Sequence, residues 1–251
     1  MRAQFVKTQN ALSFIAGLSA LQQRGANEAC LMVVDGEPGL GKTTTIQWWA
    51  VQNGAVFLRA KKEWTPAWCL RELLETLRKQ PEFSFERMFR QAVQALGARA
   101  MAADRDGLPF AVVIDEVDHI SRNARLLETI RDLSDMLEIP FILVGMGRVR
   151  HNLTRFPQIA SRVGQHVQFA EAPLQDAQAL VTQLSEVPVK PDLVEYLHRV
   201  SKGRSREIKE GIASIERFGK RQAGTEIGLA EMSGQPLFND RSTGAAILVR
   251  G

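Results

Sequence analysis

Apolar and polar positions fall into blocks along the chain, and the period changes from one block to the next. Leu12, Ile15, Leu18 and Leu21 recur at three-residue steps, which predicts an amphipathic helix. CLMVV at residues 30–34 is apolar throughout and runs into Asp-Gly, a buried strand ending in a turn. Residues 43–52 are predicted as a helix and AVFLRA at 55–60 as a second strand. Two amphipathic helices follow at 65–78 and 84–103, with Pro81 limiting where the first can end. PFAVVIDE at 109–116 is another continuous apolar run, closed by acids. Residues 122–137 are helical, IPFILVGMG at 139–147 supplies a fourth strand, and HVQF at 166–169 a short fifth.

Strands that are apolar throughout and alternate with helices of this length predict an α/β fold: a parallel five-stranded sheet covered on both faces. From residue 172 the pattern changes to three consecutive helices, at 172–185, 190–201 and 205–219, with no strand between them. Residues 222–251 are rich in Gly, Ser, Thr and Asn without periodicity and are expected to form a flexible, largely unpacked tail. The expected division is therefore an α/β domain at 1–171, opening with a helical segment at 1–28, then a helical subdomain at 172–221 and the tail.

With 45% hydrophobic and 24% charged residues, the chain has the composition of a globular protein rather than a disordered or fibrous one. No apolar run approaches the ~20 residues that span a bilayer, and MRAQFVKTQN has no signal-peptide core, so a cytoplasmic location without a membrane partner is expected. Cys30 and Cys69 alone form neither a disulfide framework nor a four-ligand zinc site. His119, His151, His166 and His198 show no metal-ligand spacing. The formal net charge of +4 is uneven: residues 199–221 hold eight basic residues against three acids, a local +5 that leaves −1 elsewhere. Such a surplus meets phosphate or forms a solvated helix face.

The candidate chemistry lies where strands end. Gly36, Glu37, Pro38, Gly39, Leu40, Gly41, Lys42 and Thr43 read GEPGLGKT, a full match to G-x-x-x-x-G-K-[ST] between a strand and a helix. The glycines let the backbone wrap phosphates with its amides turned inward, and the helix N-terminus favours the anion. Lys42 can reach the β- and γ-phosphates, the Thr43 hydroxyl can ligate Mg²⁺, and Thr44 completes the nucleotide-binding stretch. In VVIDE at 112–116, a buried strand delivers Asp115 beside the Mg²⁺, and Glu116 follows where it can polarise the attacking water.

GEPGLGKT and VVIDE resemble the Walker A and Walker B segments of the AAA+ ATPases, and the three-helix ending resembles their lid; the resemblance covers residues 8–219. Within that superfamily DEVDHI, ILVGMGRVRHNL, FPQIASRV and VQFAEAPL look most like the Mu B, TnsC and TniB family of DNA-transposition ATPases. The resemblance implies ATP and Mg²⁺ as cofactors and a P-loop NTPase fold. It also implies an arginine presented to a neighbouring subunit's γ-phosphate, Arg162 with Arg155 as second candidate, and a nucleotide-sensing arginine in the lid, Arg206 with Arg204 as alternative. One departure stands out: where the family closes its fourth strand with a polar side chain that holds water, this chain has Gly145, Met146 and Gly147. Slow or partner-stimulated hydrolysis follows from that. The family's N-terminal helix-turn-helix domain is not found in the residues before the first strand.

RAKKEW, with Arg59, Lys61, Lys62, Trp64 and Trp68 close together, fits a nucleic-acid contact or a solvated loop whose tryptophans join the core. Arg122 and Arg125 are further DNA candidates. The expected function is an ATP-dependent, sequence-nonspecific DNA-binding ATPase that forms a homo-oligomeric ring or filament and directs a transposase. The alternatives are a helicase-loader or initiator-type ATPase, or a nucleotide-gated interaction module that does not bind DNA.

Overall fold

Four short apolar segments and a more polar fifth pair side by side in the computed structural model, which describes residues 1–222 and 224–250. They are β1 (Leu31–Asp35), β2 (Val56–Arg59), β3 (Val112–Asp115), β4 (Phe141–Val144) and β5 (Val163–Gln168). All pairings are parallel, in the order β2-β3-β4-β1-β5, so β4 is central and β1 lies between β4 and β5. β1, β3 and β4 are buried at every position, as a sheet covered on both faces requires.

Clustering of contacts divides the chain into two units. The first, residues 13–37 and 42–169, contains the sheet. Its helices are most of α1 (Gln9–Gln22), then α2 (Lys42–Gln52), α3 (Pro66–Thr76), α4 (Phe85–Arg105), α5 (Ala124–Leu137) and the short α6 (Val149–Leu153) and α7 (Pro157–Ala160). The helix starts are written locally: Thr65 caps α3 by accepting the Trp68 N–H with Pro66 following, Ser84 caps α4 at Arg87, and Asn123 caps α5 at Leu126. Leu70, Leu73, Leu96, Ile114, Ile130 and Phe141 belong to one buried core, together with Trp64.

The second unit, residues 1–12, 38–41 and 170–251, is built on α8 (Leu174–Leu184), α9 (Pro191–Ser201) and α10 (Ser205–Gly219). Ala177, Leu180, Val181 and Leu184 make the buried stripe of α8, and Ile208, Ile212 and Ile215 that of α10. Two expectations are corrected here. Residues 1–12 pack with this unit rather than with the sheet domain: Val6 lies in its core, and the Gln9 N–H donates to Asp176 Oδ2 at 2.9 Å.

Residues 224–250 are packed rather than forming a loose tail. They carry α11 (Leu229–Met232) and an antiparallel hairpin of β6 (Pro236–Asn239) and β7 (Ala246–Leu248). Ile227, Met232, Leu237 and Val249 are buried in the same core as α8–α10. Ser214 Oγ donates to the Leu237 carbonyl at 2.6 Å and the Tyr196 hydroxyl to that of Leu248 at 2.7 Å. The turn between the strands, NDRSTG at 239–244, is made of residues that signal loops and obscures the apolar run AAILV at 245–249.

Among the described residues no helix is long and apolar enough to cross a membrane. Leu237, only 1% exposed, tests the packing of the C-terminal segment. Leu237→Ala is expected to lower stability by about 2–5 kcal/mol in urea unfolding, whereas an unpacked tail gives no change.

Candidate phosphate-binding site

The sheet brings two polar groups together that lie far apart in sequence. β1 ends at Asp35 and leads through Gly36 and Glu37 toward α2, whose first residues are Lys42 and Thr43. β3, on the far side of β4 from β1, ends at Asp115. Thr43 Oγ1 donates to Asp115 Oδ2 at 2.8 Å, joining residues 72 positions apart. Asp115 is 3% exposed, and its Oδ1 accepts the Glu116 N–H at 2.8 Å. A hydroxyl and a carboxylate in contact at a helix start are oxygen donors of the kind Mg²⁺ takes alongside phosphate oxygens. Among the described residues no group of three or more His, Cys, Asp or Glu gathers to hold a metal by itself.

Lys42 Nζ donates to the carbonyls of Gly36 at 2.6 Å and Glu37 at 2.9 Å, folding back over the loop that precedes it. Burial pushes the ammonium below the usual lysine range, opposed by the negative charges of Asp118, Asp115, Asp35 and Glu37. Thr44 and Glu37 are exposed and Gly36 is buried. Asp35, also buried, pairs with His166 Nε2 at 2.9 Å, an interaction that sequence reasoning missed.

Glu116 follows Asp115 at φ 57°, a left-handed conformation that costs energy for a residue with a Cβ. Its carboxylate is half-exposed, 3.6 Å from Arg59 Nε and 3.6 Å from His119 Nε2. Strain of this kind collects where backbone geometry serves to aim a side chain.

The glycine at the end of β4 has a steric cause. A Cβ on Gly145 would lie 2.6 Å from Asp118 Oδ2 and 2.5 Å from Val149 Cγ2. Asp118 fills that space, and its Oδ2 accepts the Met146 N–H at 2.7 Å. The carboxylate of DEVDHI thus supplies polarity where the strand itself has none, a role that the linear sequence does not signal.

The crest of the loop, Pro38–Gly41, packs in the second unit. Gly39 and Gly41 have φ of +90° and +89°, where side chains are strained. The Gly39 carbonyl accepts the Arg206 N–H at 3.0 Å, and Leu40 is buried. The Arg206 side chain is exposed, whereas Arg204 has a buried Nε without a partner.

The remaining arginines and lysines divide into engaged and free. Arg162 Nε sits 2.9 Å and 3.1 Å from the two carboxylate oxygens of Asp135, so the arginine expected to act in trans is paired within its own chain. Arg155, its alternative, is exposed, and its side chain forms no hydrogen bond or ion pair among the described residues. Arg59 is drawn to Glu116, and Lys61 pairs with Glu72 while lying 5.3 Å over the Trp68 ring. Trp64 is 2% exposed and belongs to the core, so it cannot stack on a base. Lys62, Arg122 and Arg125 are exposed and unpaired among the described residues. The basic surplus at 199–221 is partly engaged: Lys220 pairs with Glu186, Arg199 stacks on Tyr196, and burial lowers the pKa of Lys209.

The architecture has known counterparts. The Aeropyrum pernix ORC1 protein in complex with DNA is 15% identical, with 90% of this chain and 63% of that chain covered and a TM-score of 0.58. Cdc6p from Pyrobaculum aerophilum is 15% identical over 92% of this chain and 68% of that one, with a TM-score of 0.64. The Thermotoga maritima RuvB Holliday junction branch migration motor is 17% identical over 89% and 66%, with a TM-score of 0.56. At such identities the likeness is one of fold, and the chain spans less than two thirds of the ORC1 chain. No curated protein matches the sequence. The AAA domain family, however, matches residues 26–153, from the approach to β1 through α6, and with 128 of its 251 residues so covered the chain belongs to that family.

Proposed function

We propose that the protein is a Mg²⁺-dependent AAA+ ATPase that couples nucleotide binding to assembly on DNA. The contact of Thr43 with Asp115 carries this reading, because it gathers the two oxygen donors at the start of the helix that the phosphate loop feeds. Bound Mg²⁺-ATP would supply the scissile phosphoanhydride and the cation that offsets its charge. The chain's own residues do the rest. The loop from Gly36 to Gly41 turns amides toward phosphate oxygens. Lys42 exchanges its two backbone carbonyl partners for those oxygens, and Thr43 and Asp115 hold the cation. Glu116 orients and polarises the water, with Arg59 restraining its carboxylate until the site is loaded. In place of a polar side chain at Gly145, Asp118 holds the β4 end by the Met146 amide.

Assembly needs an arginine free to reach a neighbouring subunit. The exposed Arg155 meets that requirement as the chain stands, whereas Arg162 must first leave Asp135. For DNA, Lys62 and Arg122 are the expected phosphate contacts, and contacts to phosphates carry low sequence preference. Support comes from ORC1 having been solved with DNA and from RuvB being a branch migration motor. Those likenesses favour the initiator-type alternative. Coupling to a transposase rests on the resemblance of DEVDHI, ILVGMGRVRHNL and FPQIASRV alone.

Lys42→Ala is expected to weaken ATP binding at least about tenfold in equilibrium titration, since a charge-assisted phosphate contact is lost. Unchanged affinity rejects the site. Glu116→Gln is expected to keep ATP affinity within about twofold while cutting turnover about 10²-fold or more. Persistent turnover moves the water-activating role elsewhere. Lys62→Ala and Arg122→Ala are each expected to weaken duplex binding for all sequences alike and to reduce the salt slope by about one. If filter binding with ATP at low salt detects no duplex association by the unmodified protein, the DNA reading fails.

A further inference from the structure

The first turn of α10 lies against the crest of the phosphate loop, and one of its side chains is poorly accounted for. The carboxylate of Glu207 is 8% exposed. Its Oε1 pairs with Arg241 Nε at 3.1 Å, while its Oε2 is buried and has no hydrogen-bond partner. Oε2 faces the crest, since a Cβ on Gly39 would lie 3.3 Å from it. Arg206, the neighbouring residue, donates its N–H to the Gly39 carbonyl. A half-satisfied buried carboxylate behind a loop that is to hold a polyanion opposes that function by simple electrostatics.

The compensating charge comes from the segment that the sequence presents as a tail. Arg241 stands in the turn between β6 and β7, where its guanidinium also meets Glu210 of α10. The turn is held by Asp240, whose Oδ1 accepts the Ser242 hydroxyl at 2.5 Å and the N–H groups of Thr243 at 2.9 Å and Ser242 at 2.8 Å, bonds that keep its carboxyl well below the usual range. The strands flanking the turn are anchored through Leu237 and Leu248 to α10 and α9. The arginine is therefore presented by a fixed scaffold rather than by a mobile chain end. A role confined to helix stability would need no such device, because an acid in the first turn already suits the helix dipole.

We propose that Arg241 is a positioning residue for the phosphate loop: it neutralises the Glu207 carboxylate behind Gly39 and so sets how tightly the crest holds a nucleoside triphosphate. The inference rests on the nucleotide-binding reading of the loop. Through it, the C-terminal hairpin becomes part of the nucleotide-binding apparatus, although it contributes no group to the phosphates. Without Arg241, the negative charge of Glu207 acts on the incoming phosphates unopposed. With the charge of Glu207 also removed, the arginine has nothing left to neutralise.

The test is a two-by-two set in the full chain, reading ATP affinity by equilibrium titration and folding by thermal melting. Arg241→Ala is expected to weaken ATP binding about tenfold or more. Glu207→Gln is expected to bind at least as tightly as the unmodified protein, and the double variant to recover its affinity within about twofold. The recovery separates charge from folding, because restoring neutrality does not restore the lost contact. An Arg241→Ala protein that melts lower but binds ATP normally overturns the proposal. So does a double variant as weak as Arg241→Ala, or a Glu207→Gln protein weakened tenfold, which decides the matter even if Arg241→Ala does not fold. If the unmodified protein binds no more ATP than Lys42→Ala, the phosphate-loop reading fails and takes this proposal with it.

Discussion

A carboxylate at the end of a fully buried strand must find hydrogen bonds or lose its charge, and Asp115 imposes that constraint on the whole sheet unit. Its partners are the Thr43 hydroxyl and the Glu116 amide. For the first to be in reach, the loop after β1 must turn sharply enough to start α2 opposite the end of β3, with β4 between the two strands. For the second, the backbone must enter the left-handed region at Glu116, which turns that side chain out toward Arg59 and His119. The glycine at the end of β4 belongs to the same adjustment, since Asp118, three residues after Asp115, takes the space a side chain would need.

Charge follows a similar economy. Net charge and local surplus are poor guides to what this protein binds, because many basic residues are already matched. Arg59, Lys61, Arg162, Lys220 and Arg241 each face a carboxylate within the chain. Exposed pairs of this kind contribute little to stability and exchange readily for a better partner. The Arg241–Glu207 pair differs, because one member is buried and removing the other strands a charge. Lys62, Arg122, Arg125 and Arg155 of the sheet unit are unmatched among the described residues, and so are Lys202, Arg206 and Arg221 in the basic stretch that composition singles out.

Much of the architecture was legible in the chain. Four strands fall at the four apolar runs, the fifth starts three residues before the expected HVQF, and Thr65, Ser84 and Asn123 mark helix starts by a hydrogen bond to a residue three positions on. The C-terminal segment was not legible, because its apolar runs, LF at 237–238 and AAILV at 245–249, are embedded in Gly, Ser, Thr, Asn and Asp residues that signal loops. Among candidate site residues, GEPGLGKT and VVIDE stand out in the chain because backbone conformation and strand-end position are local properties. Asp118 and Glu207 could not, since an acid in a turn or a first helical turn is ordinary until a neighbour is seen against it.

The sequence by itself determined most of the strand and helix succession of the sheet unit, the glycine-rich turn after β1 and the acids closing β3, all of which depend on spacing within a few residues. Only the tertiary structure decided which charges are free and which are spent. Arg162 opposite Asp135, Arg59 opposite Glu116 and Arg241 opposite Glu207 are encounters between residues 27, 57 and 34 positions apart. An electrostatic interaction depends on distance in space and on the water excluded around it, and neither quantity is written in the order of residues along a chain.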